Sequence, residues 1–430
     1  MRVLSAAVLG LTMAATLPPA AGATSYQTLY SFAGASDGVS PDAGLIADSA
    51  GNLYGTTESG GTSNDGTVFA LTPPSTPGGT WTEKLLYTFT GDADGSRPQA
   101  ALVAGPGGIL YGTTEEDGAT QFGTVFALSP PAAGSILWTK TILWNFTGGN
   151  DGGYPYDGAA LIIDSACILY GTTLRGGTKS DGTAFMLKPP AVAGKPWTET
   201  VLHSFQGGKD GYFPVGGLLM GAGGALYGTT EAGGAKSNGT LFRLTPPSAG
   251  KKTWTKTTLH SFAGGKDGSS PYSTLIADAT GALYGTTYFG GGSSACGSFG
   301  CGTVYRLSPP VTGSAGWKAT ILHPFQSGAD SEYPEAGLVA DASGTLYGTT
   351  FGAYPDRLGA AFKLTPPQPG ATKWNETILH AFAGKPDGNS PEGWLLAGPG
   401  GVFYGTTTQG GGGGAGICGR GCGSIFSVTP

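Results

Sequence analysis

Leu53-Tyr54-Gly55-Thr56-Thr57 decides the fold, because it does not occur once. The same five residues return at Leu110–Thr114, Leu169–Thr173, Leu226–Thr230, Leu283–Thr287 and Leu346–Thr350, and a seventh copy reads Phe403-Tyr404-Gly405-Thr406-Thr407. The steps between successive tyrosines are 57, 59, 57, 57, 63 and 57 residues. A period this regular describes one supersecondary unit stacked on copies of itself.

Working outward from the first copy, residues 44–47 lead through a turn at 48–51 into the motif. A glycine-rich loop follows, then 66–71 closed by Pro73-Pro74, and then 82–89. These are four short runs rich in β-branched and aromatic residues, bounded by Gly, Pro, Asp and Asn, with no helical period competing. Four strands repeated seven times predict an all-β fold: a seven-bladed β-propeller with four antiparallel strands per blade. Leu53 and Tyr54 are adjacent and must face opposite sides of their sheet, as a blade between two neighbours requires. Gly55 is expected to let the adjacent sheet approach closely.

The ends of the chain predict how the ring closes. Tyr26-Gln27-Thr28-Leu29-Tyr30-Ser31-Phe32 matches the fourth strand of the repeat, as in Val201-Leu202-His203-Ser204-Phe205, while Gly423-Ser424-Ile425-Phe426-Ser427-Val428 matches the third. The last blade is therefore expected to take its outermost strand from the N-terminus, which removes a strand edge.

The 430 residues include 80 glycines and 30 prolines with only 12% charged residues. Because the glycines recur at fixed places, they mark turns and not disorder. The first 23 residues, Met1-Arg2, an apolar run over 3–16, and Ala21-Gly22-Ala23, have the form of a secretory signal. Residues 24–430 then form a single propeller domain. No later run is long and apolar enough to span a membrane. A net charge of −6 with 22 dispersed Lys and Arg excludes the footprint of a nucleic-acid binder.

The composite Ser-Phe-x-Gly-x-x-Asp-Gly-x-x-Pro, Leu-Tyr-Gly-Thr-Thr, Gly-Gly and Gly-Thr-Val-Phe-x-Leu-x-Pro resembles the GloVer (Gloeo-Verruco) tandem repeat of bacterial extracellular proteins, over essentially the whole mature chain. The resemblance implies an exported protein. Many members carry a C-terminal sorting anchor; without one here, a secreted or periplasmic monomer is expected. The family offers no shared catalytic residues to carry over and implies no cofactor.

The residues able to carry chemistry each have a structural alternative. His203, His260, His323 and His380 occupy one repeat position, held elsewhere by Tyr30, Tyr87 and Trp144, which points to packing on the outer strand and leaves a serine or cysteine triad without a base. Asp37, Asp94, Asp151, Asp210, Asp267, Asp330 and Asp387 each lie four residues before a proline. They suit either calcium or, as seven identical turns favour, hydrogen bonds to their own turn amides. Cys296 with Cys301 and Cys418 with Cys422 are expected to form two local disulfides in an exported protein. A joint zinc site would have to bridge across blade six. Cys167 is left as a free thiol near a turn.

Function should lie where the copies differ. Beside the shared prolines stand Asp42, Gln99, Tyr156, Val215, Tyr272, Glu335 and Glu392, with Arg97, Tyr154, Phe213 and Tyr333 on the other side. After the Thr-Thr pairs stand Glu58, Glu115, Leu174, Glu231, Tyr288, Phe351 and Thr408. Carboxylates interleaved with flat rings suit a sugar or a cationic group; the same residues also suit a solvated acidic rim. A non-catalytic module for a glycan or an extracellular protein is the first expectation. The second is a polysaccharide lyase built on Arg97 with Tyr154 or Tyr156, or a hydrolase built on Glu58 and Glu115.

Overall fold

A computed structural model describes residues 24–430 apart from 35, 77, 157–159, 193, 312–315, 327, 329–330, 353–357 and 413–417. Seven four-stranded antiparallel sheets follow one another along the chain. In the first blade the innermost strand is Ile46–Ala47, followed outward by Leu53–Thr57, Thr67–Thr72 and Thr82–Thr88. The last blade consists of Leu396–Ala397, Phe403–Thr407 and Ser424–Thr429, and its outermost strand is Ser25–Ser31 from the other end of the chain. Tyr26 pairs with Val428 and Ser31 with Ser424, so the expected clasp is formed.

The hydrophobic core is not one mass but a set of clusters, each between two blades. Leu29, Phe32 and Ile425 of the closing blade pack against Leu45, Leu53, Phe69 and Leu71 of the first. Tyr54 faces the other way, against the cluster of the first and second blades, as the strand pleat dictates. Gly55 serves a purpose different from the expected one. A Cβ there would meet the Phe69 ring at 2.6 Å and Leu45 at 2.9 Å, both from its own blade. The glycine is a notch that lets the third-strand phenylalanine lie across the sheet.

Phe69 in turn meets Phe32 of the preceding blade edge-on, with centroids 5.3 Å apart. The same pair recurs as Phe89–Phe126, Phe146–Phe185, Phe205–Phe242, Phe262–Tyr305, Phe325–Phe362 and Phe382–Phe426, all at 5.1–5.3 Å. Tyr305 departs from the pattern: its hydroxyl is buried against Gly285 without a hydrogen-bond partner among the described residues.

Each outer strand carries a β-bulge, between Val68/Phe69 and its partners in the first blade and at the equivalent place in the other six. Leu86 is the extra residue there and turns into the junction cluster. The next side chain reaches the turn aspartate seven residues on. Tyr30 and Tyr87 donate to Asp37 and Asp94 at 2.9 and 2.8 Å, and His203, His260 and His380 pair with Asp210, Asp267 and Asp387 at 2.9–3.1 Å. Each aspartate also accepts the amide of the residue four before it, as in Ala33 to Asp37. In five blades the bulky outer-strand position and the turn aspartate, read separately from the sequence, are thus two ends of one hydrogen bond, whereas the Trp144 indole nitrogen has no partner among the described residues. Asp330 and the signal segment lie outside the described residues. Cys167 is unpaired, at φ 61° in its turn. Among the described residues no helix is long and apolar enough to cross a membrane.

In the first four blades the second residue of the outer strand faces the turn aspartate of the preceding blade. Lys140 and Lys256 donate to Asp94 and Asp210 at 2.9 Å. Glu199 stands there against Asp151; burial, and secondarily the charge of Asp151, push its carboxyl up to about 7.

Two predictions follow from these contacts. Burying an unsatisfied hydroxyl costs about 1–3 kcal/mol, so Tyr305→Phe raises stability by about 1 kcal/mol in denaturant unfolding. Glu199 keeps its proton in the folded chain to a higher pH than in the unfolded chain. Its stabilising contribution is complete below about 4.5 and lost as pH rises through about 7; Glu199→Gln makes the decline of stability over that window shallower.

Candidate functional site

One strained backbone position builds the variable face. The residues before the shared prolines, Ser40, Arg97, Tyr154, Phe213, Ser270, Tyr333 and Ser390, all have φ between 54° and 59°. That conformation costs a non-glycine residue about 1–3 kcal/mol. It persists because it joins blades: the Arg97 amide donates to Asp65 of the preceding blade at 3.0 Å, and its carbonyl accepts the amide of Glu115 at 3.0 Å. Tyr154 likewise bridges Phe122 and Leu174, and Tyr333 bridges Cys301 and Phe351.

At the axis the post-proline residues converge. Asp42, Tyr156, Val215, Tyr272, Glu335 and Glu392, six of the seven, line one narrow cup with a cavity volume of about 30 Å³. Its floor is Trp394, which packs on Ala43, Ala101 and Ala160 from the first three blades. The indole lies against the first blade so closely that a Cβ on Gly44 would be 2.4 Å from it. Asp42 is buried, and Tyr272 is hydrogen-bonded to Glu231. Burial, the charge of Glu231 and that hydrogen bond hold the Tyr272 phenol well above its usual value, with Glu335 adding to the effect. Thr408 donates to Glu392 at 3.2 Å.

Two flanking sectors differ in character. On the first and second blades Arg97 holds Glu58 at 2.5 Å, Glu115 at 3.3 Å and Glu116 at 3.4 Å. Burial pushes the Glu115 carboxyl up to about 7; Arg97 opposes this, and Glu116 and Glu58 reinforce it. On the fifth and sixth blades the rings form an arc: Tyr272 lies 5.5 Å from Tyr288, and Tyr288 stacks on Tyr333 at 5.0 Å. Tyr154 sits apart from both, edge-on to Phe122 at 5.5 Å.

The cysteines pair locally, Cys296 with Cys301 and Cys418 with Cys422, and this removes the joint zinc alternative. Glu332, buried beside Cys296, and Trp394 were not singled out from sequence. Aligning the repeats on the leucine that follows would have exposed Trp394, since the other copies carry Gly44, Ala101, Ala160, Gly217, Thr274 and Gly337 there.

The Gloeobacter/Verrucomicrobia repeat matches the chain over residues 16–185, 137–297 and 293–430. No curated protein matches it. Among solved structures it is similar to a candidate 6-phosphogluconolactonase from Bacteroides uniformis, at 12% identity and TM-score 0.51, covering 82% of this chain and 87% of that one. It is also similar to the PQQ-bound aldose sugar dehydrogenase of Streptomyces coelicolor, at 12% identity and TM-score 0.43, covering 96% and 99%. At such identity the likeness to the Bacteroides protein is one of fold alone.

The Arg97 guanidinium is the one charge named above that lowers Glu115. Replacing it in Arg97→Ala should move the Glu115 titration from about 7 to higher pH, as followed by carboxyl NMR; an unmoved titration would show that the 3.3 Å pair carries no electrostatic coupling.

Proposed function

The chain belongs to the Gloeobacter/Verrucomicrobia repeat family, and from that premise we propose that it is an exported binding module whose ligand, a glycan or an extracellular protein, docks at the variable face over the axial cup. The observation that carries this is the convergence of the residues in which the copies differ. Their shared residues are spent on strand pairing, junction clusters and turn bonds, whereas Asp42, Tyr156, Tyr272, Glu335 and Glu392 come to one cup floored by Trp394. Carboxylates there can accept hydroxyl or ammonium protons, and rings can stack on C–H faces or cations. The Tyr288–Tyr333 stack extends the platform, and Glu58, Arg97, Glu115, Glu231 and Tyr154 stand around the same face. Two disulfides suit an extracellular setting.

A second reading, a glycoside hydrolase, draws on Glu115. A carboxyl that titrates near 7 beside the Glu58 carboxylate has the protonation an acid catalyst needs. The lyase alternative has less support, because Arg97 is committed to three carboxylates.

A glycan and protein array, followed by calorimetry on the hits, tests the proposal. Each stacked ring contributes about 1 kcal/mol, so Tyr272→Ala with Trp394→Ala should weaken binding about tenfold or more. Unchanged binding in that double variant would remove the cup as the site. Release of new reducing ends by the native chain, lost in Glu115→Gln, would replace the module with the hydrolase.

A further inference from the structure

The blade junctions offer an internal comparison. Lys256 reaches from the fourth blade to Asp210, donating to Oδ1 at 2.9 Å and also to the carbonyl oxygen. Lys140 makes the same two bonds to Asp94. Both lysine side chains are about 95% buried, at 4% and 5% exposure. The turn following an outer strand is thus built to hold a positive charge on a carboxylate oxygen and a backbone carbonyl.

Where the closing blade meets the first blade, Asp37 takes the place of Asp210, and Glu83 takes the place of the lysine. Asp37 Oδ2 is saturated as Asp210 Oδ2 is: it accepts the Tyr30 hydroxyl and the Ala33 amide, both at 2.9 Å, where Asp210 has His203 and the Gln206 amide. Asp37 Oδ1, the counterpart of the oxygen that receives Lys256, is a buried acceptor to which none of the described residues donates. Glu83 Oε1, arriving from the neighbouring blade, is a second. Two buried, acceptor-only oxygens therefore stand in the places that a carboxylate oxygen and an ammonium take at the Lys140 and Lys256 junctions.

We infer that the Asp37–Glu83 junction is a binding site for a hard metal cation of the calcium class, held by Asp37 Oδ1 and Glu83 Oε1 beside the Asp37 carbonyl. Carboxylate and carbonyl oxygens are the donors such an ion selects, and each oxygen is costly to bury unpaired. Burial, and secondarily the like charge of Asp37, raise Glu83 to about 7, so the junction is destabilised when both carboxylates are ionised without a counter-ion. The groups facing Glu83 are Asp37 and, beyond it, Tyr30. The Glu199–Asp151 junction is different, because Thr147 gives its hydroxyl to Asp151 Oδ1. The site has a structural consequence: Asp37 follows the N-terminal strand, so the ion would tie that clasp to the first blade.

The test uses the mature chain stripped of metal with a chelator. Calorimetric titration with calcium chloride at neutral pH should give one calcium per chain and a raised Tm, and terbium luminescence should be sensitised through Tyr30. Glu83→Gln should weaken calcium binding about tenfold or more, the scale of losing one anionic ligand. Glu83→Lys should abolish it and give a calcium-independent Tm no lower than that of the loaded native chain, while Glu199→Gln leaves calcium binding unchanged. Absence of binding at millimolar calcium, or binding unaltered in both Glu83 variants, overturns the inference. So does a Tm that falls with rising pH but ignores calcium, because the pair then shares a proton.

Discussion

At every junction the phenylalanine that ends one blade's outer strand meets, edge to face, an aromatic ring of the next blade's third strand, and the seven pairs differ by only 0.2 Å in separation. The second ring can lie there only because the facing residue of the central strand is glycine. This pairing sets the spacing between sheets, and hence how many of them complete the circle. An edge-to-face pair contributes about 0.5–1.5 kcal/mol beyond the area it buries. Its repetition around a closed ring makes each wedge depend on both neighbours.

The threonines that follow the glycine add a polar layer to the same arrangement. Thr56 donates to the Ala100 carbonyl of the next blade at 3.3 Å, and Thr406 donates to Ala43 at 3.0 Å across the closing junction. The second threonine shares a hydrogen bond with the first residue of the third strand, as Thr57 does with Thr67 at 2.8 Å. In the sixth blade that partner is Ala360, and Thr350 bonds to Ser331 instead.

This division of labour frees the loops. With spacing fixed by rings over glycines and closure fixed by Tyr26 to Ser31 on the last sheet, the residues flanking the prolines carry little of the fold. They differ from copy to copy without disturbing it, so a carboxylate, a tyrosine and a valine can share equivalent places around one axis. The strained pre-proline residues are the exception. Their backbone amides and carbonyls join neighbouring blades.

Much of the architecture was legible because it depends on local residue types repeated at a fixed interval: strand count, blade count, the exchange of the terminal strand, and the two short disulfide loops. Each needs only pleat, turn chemistry and spacing. The cup could be anticipated as a set of positions, since Asp42, Glu335 and Tyr272 follow the same proline, but not as a shape. Only the closed ring decided that Trp394 packs on the cluster of Ala43, Ala101 and Ala160, that Arg97 gathers Glu58, Glu115 and Glu116 from two blades, and that Glu83 arrives opposite Asp37. Those meetings join residues from different repeats, and their relative placement is set by the curvature of the whole ring, a quantity that no single copy of the motif encodes.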